Sequence, residues 1–126
     1  MPLYGDGRNV REWVHVDDHC HAIHTVLTRG RAGEIYNVGG VDELTNLDVT
    51  HALLDLCRAP RSMIEQVADR KGHDLRYSLD DTKIRRELGW APRVSFISGL
   101  AATVDWYYKN TAWWRAVHDR ASAISG

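Results

Sequence analysis

The chain contains 126 residues, 44% of them hydrophobic, and carries a formal net charge of −1 with a pI of about 6.6. That length allows one domain with a small core and is too short for a complete two-lobed enzyme. The near-neutral charge gives no long-range field for nucleic acid or an anionic membrane, so we expect neither as a partner.

The sequence contains neither an export signal nor an apolar run of about eighteen residues that would span a membrane. Its two cysteines, Cys20 and Cys57, form no Cys-x-x-Cys pair and are predicted to be buried, reduced thiols. A cytoplasmic location is therefore the expectation.

The first part of the chain is predicted to contain a strand, a helix and a second strand. Alternating apolar residues indicate a strand over residues 10–16, and Asp17 or Asp18 is placed to cap the helix that follows. We expect this helix to end near residue 29, with Gly30 in the left-handed conformation. Residues 34–38 form the second predicted strand. The inward face of the helix is predicted to consist of Ala22, Ile23, Val26 and Leu27.

The second part of the chain is predicted to contain three helices and one strand. A capping-box pattern at Thr45 and Asp48 begins a helix that Pro60 closes, and residues 63–67 read as a strand. Asp80 or Asp81 is placed to cap a brief helix that ends at Gly89, and the last helix covers residues 97–108. The predicted inward residues are Val49, Leu53, Leu56 and Cys57, then Ile84 and Leu88, and finally Ile97, Leu100, Ala101 and Val104.

Residues 69–73, with the sequence Asp-Arg-Lys-Gly-His, place cationic side chains around one glycine directly after the third predicted strand. Arginine offers a planar fork of donors that matches phosphate oxygens, and glycine permits close approach of the backbone. Loops at strand ends are common ligand sites. The pattern therefore favours recognition of a phosphate ester.

This loop stands among several further motifs in a fixed order. They are Tyr4-Gly5-Asp6-Gly7, Arg11-Glu12-Trp13-Val14-His15-Val16-Asp17-Asp18, Tyr36-Asn37-Val38-Gly39-Gly40 and Gly72-His73-Asp74-Leu75-Arg76-Tyr77. Together they resemble the C-terminal part of the dTDP-glucose 4,6-dehydratases, which are extended short-chain dehydrogenases, from about residue 2 to about residue 114.

The resemblance implies an α/β fold: a C-terminal substrate-binding lobe with a small sheet and about four helices, from which the Rossmann lobe is mostly absent. Residues 1–118 are assigned to this nucleotide-sugar-binding lobe and 119–126 to a polar tail. It also implies that the full-length enzyme, an NAD-dependent lyase and homodimer, converts dTDP-glucose to dTDP-4-keto-6-deoxyglucose and water. The chain alone is expected to bind the dTDP-sugar, to bind no NAD, and to be inactive without an N-terminal Rossmann lobe.

The resemblance carries substrate-binding roles, and no catalytic ones, onto this sequence. Lys71 stands where many relatives have proline, which removes a constraint on the loop backbone. The implied substrate-binding residues are Pro2, Leu3, Tyr4, Arg11, Asn46, Asp69, Arg70, Lys71, Gly72 and His73.

Five of these residues have competing interpretations. Arg11 either clamps the diphosphate or forms a surface salt bridge with Glu12 or Asp17. Asn46 either holds the ligand or caps the helix beginning at Leu47, and both roles are compatible. Pro2, Leu3 and Tyr4 either line the thymidine pocket or form a disordered terminus.

Other functions remain open or lack support. The alternatives are a fragment of a UDP-sugar epimerase or decarboxylase, and a non-enzymatic remnant that associates through exposed apolar faces. The histidines near His21 and His24 lack a recognised metal spacing, and no glycine pattern for dinucleotide binding is present, so neither a metal nor a cofactor site is expected.

Overall fold

Two separate pairs of short strands, surrounded by helices, organise the chain. The computed structural model describes residues 1–124, with side-chain environments through residue 120. The strands are β1 (Pro2–Tyr4), β2 (Val10–Trp13), β3 (Asp42–Thr45) and β4 (Glu65–Val67). The helices are α1 (Val16–Arg29), α2 (Asn46–Leu56), α3 (Thr82–Leu88), α4 (Phe96–Lys109) and α5 (Thr111–Ile124), with one 3-10 turn at Arg61–Met63. The α/β class with small sheets is confirmed.

Strand β1 pairs in parallel with β4, and Leu3 lies opposite Gln66. The terminal ammonium group of Met1 donates to the carbonyl of Met63, 2.7 Å away. Leu3 is buried. The expectation of a disordered start is therefore wrong, because backbone pairing and burial of Leu3 both hold this segment in place.

Strand β2 pairs antiparallel with β3, in a register that places Arg11 opposite Leu44. The second predicted strand, residues 34–38, is wrong: this segment has no regular secondary structure, and Tyr36 and Val38 pack against the core instead. Strand β3 was not predicted, because Asp42–Thr45 contains one apolar residue and has no alternating pattern.

Helix α1 begins and ends differently from the prediction. Its N-cap is His15, whose Nδ1 accepts from the backbone N–H of Asp17. Asp18 is buried and accepts from the backbone N–H groups of Arg93 and Val94, at 2.9 and 2.8 Å. Gly30 is extended, with φ −68°, so the predicted left-handed cap is wrong. Asp18 is thus used to anchor the chain before α4 rather than to cap α1.

The other helix boundaries follow local capping chemistry. The capping box at Thr45 and Asp48 is present, and Gly89 ends α3 in the left-handed conformation with φ +64°. Helix α2 ends before Pro60, because Arg58 adopts φ +53° and donates to the carbonyl of Asp55. Helix α5 was not predicted; it includes residues 119–124 of the expected polar tail, and residues 125–126 lie outside the described part.

The core is small and lies between α1, α3 and the segment after α3. Ala22, Ile84, Leu88 and Trp90 are buried together, as predicted for the first three. Parts of the predicted inward faces are instead exposed, namely Ile23, Leu27, Leu56 and Ile97, with Leu27 82% exposed. Cys20 is also exposed and Cys57 partly buried, which corrects the expectation for these thiols. Among the described residues, no helix is both long and apolar enough to cross a bilayer.

Candidate functional site

The parallel strands β1 and β4 end at the same edge of their sheet, so the loops that follow them lie side by side. The N–H of Gly5 donates to the carbonyl of Val67 at 3.0 Å. Gly5 has φ +57°, and a Cβ at this position would lie 3.0 Å from the carboxylate of Asp69. Glycine is therefore needed here both for the backbone conformation and for the close approach of the two loops.

The loop after β4 closes in a tight turn from Arg70 to His73. The N–H of His73 donates to the carbonyl of Arg70 at 3.2 Å, and Gly72, the third residue, has φ +70°. Lys71 is not among the residues with positive φ. These features define a type II turn, which requires glycine at its third position and favours proline at its second.

At the end of this turn, the imidazole of His73 contacts both a carboxylate and a guanidinium group. Its Nδ1 lies 2.7 Å from Oδ1 of Asp69, and its Nε2 lies 2.9 Å from the Arg70 guanidinium. The hydrogen bond from His73 holds the pKa of Asp69 below its ordinary value, assisted by the backbone N–H of Arg70 and by electrostatic interaction with the His73 and Arg70 side chains. The Arg70 guanidinium also lies over the ring of Tyr4, 5.4 Å from its centroid.

Arg11 reaches the same loop from β2. Its guanidinium donates to the carbonyls of Val10 and Asp74, at 2.6 and 3.0 Å, and stacks 4.3 Å from the centroid of the Tyr77 ring. The hydroxyl of Tyr77 donates to the Asp74 carboxylate, and this bond raises the pKa of Tyr77. Arg11 is thus held by two backbone carbonyls and an aromatic face.

A cavity of about 310 Å³ is lined in part by Arg11, Tyr77, Ser78 and Leu79. A second cavity, of about 300 Å³, is lined by the cationic side chains of the site. In the described part of the chain, Arg11, Arg70 and Lys71 form no ion pair with a carboxylate, whereas Arg76 and Arg85 each do. The lining of the second cavity is therefore net positive, with three cationic side chains against the one carboxylate of Asp74. Its lining comprises Arg11, Arg70, Lys71, Gly72, His73, Asp74 and Tyr77.

A third cavity, of about 210 Å³, is more apolar than the second and includes Tyr4, whose ring lies under the Arg70 guanidinium. Asn46 lines it, and within the described residues no hydrogen bond occupies the side-chain amide of Asn46. The other lining residues are Pro2, Leu3, Tyr4, Trp13, Val49 and Thr50. This cavity suits a flat, mostly apolar group with one polar edge.

The structure groups the ten sequence-predicted residues around these two cavities. Four line the apolar one and five the cationic one, and Asp69 lies behind His73. The salt-bridge interpretation of Arg11 is wrong, because neither Glu12 nor Asp17 pairs with it in the described chain. The capping interpretation of Asn46 is also wrong, since Thr45 is the N-cap of α2.

Tyr77 and Asp74 were not singled out, although both stand in a quoted motif. After the turn, a parallel bridge between Val10 and Arg76 returns the chain to β2 and brings the Tyr77 ring to Arg11. That return is a tertiary contact, and no local pattern encodes it. Among the described residues, no group of three or more acidic, histidine or cysteine side chains is arranged to hold a metal ion.

Comparison with known proteins identifies the group to which this geometry belongs. A profile of the GDP-mannose 4,6 dehydratase family matches residues 1–103. A dTDP-glucose 4,6-dehydratase from Streptomyces niveus is 57% identical over 128 residues, covering all of this chain and 38% of that protein. A dTDP-glucose 4,6-dehydratase from Escherichia coli is 48% identical, covering 90% of this chain and 33% of that protein. The chain thus spans about a third of the length of the curated relatives it matches.

Solved structures agree with the sequence relatives. A dTDP-glucose 4,6-dehydratase from Streptomyces venezuelae with NAD bound is 64% identical with a TM-score of 0.87, covering 90% of this chain and 35% of that chain. A UDP-glucose 4-epimerase from Thermotoga maritima with UDP-glucose is 31% identical with a TM-score of 0.81, covering 88% of this chain and 35% of that chain. The resemblance drawn from the sequence motifs is confirmed. The chain belongs to the GDP-mannose 4,6 dehydratase family, and the curated relatives described above are dTDP-glucose 4,6-dehydratases.

Proposed function

We propose that the chain is the nucleotide-sugar-binding part of a dTDP-glucose 4,6-dehydratase. In this assignment the cationic cavity takes the diphosphate, and the apolar cavity beside Asn46 takes the thymine base. The observation that carries the proposal is the pair of arginines, Arg11 and Arg70, which face one cavity without a carboxylate partner in the described chain. A diphosphate supplies the missing negative charge, and guanidinium groups match its oxygens in pairs.

Binding of thymidine diphosphate to the purified chain tests this assignment. Each charged hydrogen bond to phosphate contributes about 1.5–3 kcal/mol. Arg11→Gln and Arg70→Gln should therefore each weaken binding about 10- to 100-fold. Arg29→Gln is the matched control, because Arg29 lies at the end of α1 beside a different cavity. Equal affinities for the wild type and both site variants would refute the proposed phosphate cavity.

Two candidate functions differ in the base that they bind. The structural similarity to a UDP-glucose 4-epimerase keeps a UDP-sugar enzyme as the alternative. Thymine differs from uracil by one methyl group, which Leu3 and Val49 are placed to cover in the apolar cavity. Burying a methyl contributes about 0.8 kcal/mol, or about a fourfold preference. Thymidine diphosphate should therefore bind more tightly than deoxyuridine diphosphate, and equal or reversed affinities favour the alternative.

Within the described residues, Gly7, Gly39 and Gly40 do not stand where a dinucleotide site needs glycines. Gly39 and Gly40 precede a strand rather than a helix, and Cβ atoms there would press on Glu12 and on the backbone of Trp13. Gly7 packs against the side chain of Leu3. A dinucleotide cradle requires glycines between a strand and a helix N-terminus, with open space above them.

We therefore propose that these 126 residues bind the dTDP-sugar, bind no NAD and catalyse no dehydration alone. The assay is incubation with dTDP-glucose and NAD, followed by chromatography for a 4-keto-6-deoxy product. Product formation that persists after repeated purification would contradict this part of the proposal. A non-enzymatic remnant is the remaining hypothesis, and it predicts a folded chain whose amide spectrum no nucleotide perturbs.

A further inference from the structure

His73 is the buried side chain on which the cationic loop depends. Its imidazole is only 4% exposed, although Arg70, Lys71 and Gly72 around it are exposed. Both ring nitrogens are already engaged, Nδ1 with Asp69 at 2.7 Å and Nε2 with Arg70 at 2.9 Å. No N–H of His73 is therefore left to donate to a bound phosphate.

The partners of the ring fix its protonation state. A guanidinium has five donors and no acceptor, so a hydrogen bond between Arg70 and Nε2 requires Nε2 to accept. The single ring proton of the neutral imidazole then lies on Nδ1, where it donates to the Asp69 carboxylate. Asp69 thus selects the tautomer whose free lone pair holds Arg70.

Resting on the function proposed above, we infer that His73 is a positioning residue rather than a phosphate contact. Its neutral Nδ1–H tautomer, selected by Asp69, holds the Arg70 guanidinium over Tyr4 and toward the cavity. Protonation of Nε2 replaces the acceptor with a donor and places two cations about 2.9 Å apart. Arg70 must then leave this position, so diphosphate binding weakens in acid.

The sign of this pH dependence separates the two possible roles. An imidazolium that touched phosphate directly would add positive charge and strengthen binding in acid. A positioning imidazole predicts the opposite result. The charged groups facing His73 are Asp69 and Arg70, and the other ionisable side chains at the cavity are Arg11, Lys71, Asp74 and Tyr77, with Tyr4 beneath Arg70. The carboxylate of Asp69 stays ionised throughout, because its pKa is lowered.

The ligand for this test is dTDP-glucose, because both of its phosphates are esterified and their charge is constant while imidazoles titrate. Calorimetry on the wild-type chain should show affinity falling about tenfold between about pH 8 and about pH 5.5, as one charge-assisted bond is lost. His73→Gln cannot titrate and should show no such loss. Stronger binding in acid, or the same pH profile in His73→Gln, would overturn the inference.

Two matched variants distinguish positioning from simple packing. The amide oxygen of glutamine reaches the position of Nε2, whereas that of asparagine reaches only the position of Nδ1. His73→Gln should therefore retain affinity at about pH 8 within about threefold, and His73→Asn should lose about tenfold. If His73→Asn binds more tightly than His73→Gln, only the contact with Asp69 affects affinity, and the inference is contradicted.

A measurement without ligand keeps this inference separate from the proposed function. Long-range proton–nitrogen NMR on the chain labelled at histidine reports which ring nitrogen of His73 carries the proton. We expect the Nδ1–H tautomer in the wild type and a shift toward Nε2–H in Asp69→Asn. An Nε2–H tautomer in the wild type overturns the inference whether or not any nucleotide binds. Failure of dTDP-glucose to bind at every pH counts against the proposed function alone.

Discussion

Lys71→Pro restores a constraint that the turn geometry favours. Lys71 is the second residue of the type II turn closed by the bond from His73 to Arg70. Proline fixes φ near the value that this position requires. The backbone N–H of Lys71 makes no hydrogen bond within the described residues, so proline removes no bond from the folded chain.

The expected gain in stability is modest and comes from the unfolded state. A compatible substitution by proline stabilises a protein by about 0.4–1 kcal/mol, because the unfolded chain has fewer conformations to lose. For 126 residues the entropy of unfolding is about 0.26 kcal/mol per kelvin. The melting temperature should therefore rise by about 2–4 °C.

Binding requires a control for the lost charge, because Lys71 lines the cationic cavity. Lys71→Gln removes the same charge and leaves the backbone free, so it is the matched variant. Lys71→Pro should bind thymidine diphosphate about two- to fivefold more tightly than Lys71→Gln, since less loop entropy is lost on binding. Calorimetry and thermal melts measure both effects. A lower melting temperature for Lys71→Pro than for Lys71→Gln would refute the type II geometry.

Three further predictions concern stability. Arg58→Gly should stabilise the chain by about 1 kcal/mol in urea denaturation, because Arg58 holds φ +53° at the end of α2, where glycine is unstrained. Gly89→Ala should destabilise by a similar amount in the same assay, since Gly89 has φ +64° and open space around it, so that only backbone strain acts. Hydrogen bonds from Arg76 and then Ser78 lower the folded-state pKa of Glu43. The stability that this supplies is present above the ordinary glutamate pKa of about 4.3 and is lost as the pH falls through the lower folded value. The melting temperature of Glu43→Gln should accordingly depend less on pH below about 4.5.

Helix ends with strong local chemistry were predictable from the sequence. The capping box at Thr45 and the left-handed glycine at Gly89 each use a side chain or backbone property that acts within a few residues. Gly30 carried the same signal and is extended instead. A local signal is therefore reliable only where the chain beyond it is free to follow the local preference.

The strands were harder to predict because their partners are distant in sequence. Residues 34–38 have the apolar composition of a strand, yet they pack Tyr36 and Val38 against the core without a partner. Asp42–Thr45 lacks that composition and pairs with β2. Strand pairing depends on which backbone lies alongside, and a single sequence does not contain that information.

The apolar face of α1 illustrates a different limit. Periodicity places Ile23 and Leu27 beside Ala22 and Val26, and all four have the composition of a buried stripe. Only Ala22 and Val26 pack against the core of this chain. Hydrophobic periodicity identifies a face that is suited to burial, but it does not state which surface covers that face.

For the candidate site, the sequence identified the residue types but not the contacts among them. A cluster of arginine, lysine and histidine around glycine indicates phosphate chemistry whatever its detailed geometry. The tautomer of His73 depends on an acid four residues earlier and an arginine three residues earlier, both brought to one ring by a tight turn. The stacking of Arg11 on Tyr77 depends on a chain return of more than sixty residues.

The two arginines of the site share one mode of support, which would let a chain of net charge −1 attract the diphosphate proposed above. Arg11 and Arg70 each lie over a tyrosine ring and each donate to a neutral acceptor, a carbonyl for one and an imidazole nitrogen for the other. Neutral partners fix a guanidinium in place without cancelling its charge, whereas a carboxylate would compete with the ligand. Replacing His73, the neutral side-chain partner of Arg70, by an acid should therefore leave Arg70 ordered and weaken binding, and this is the opposite of the effect on an arginine that serves only stability.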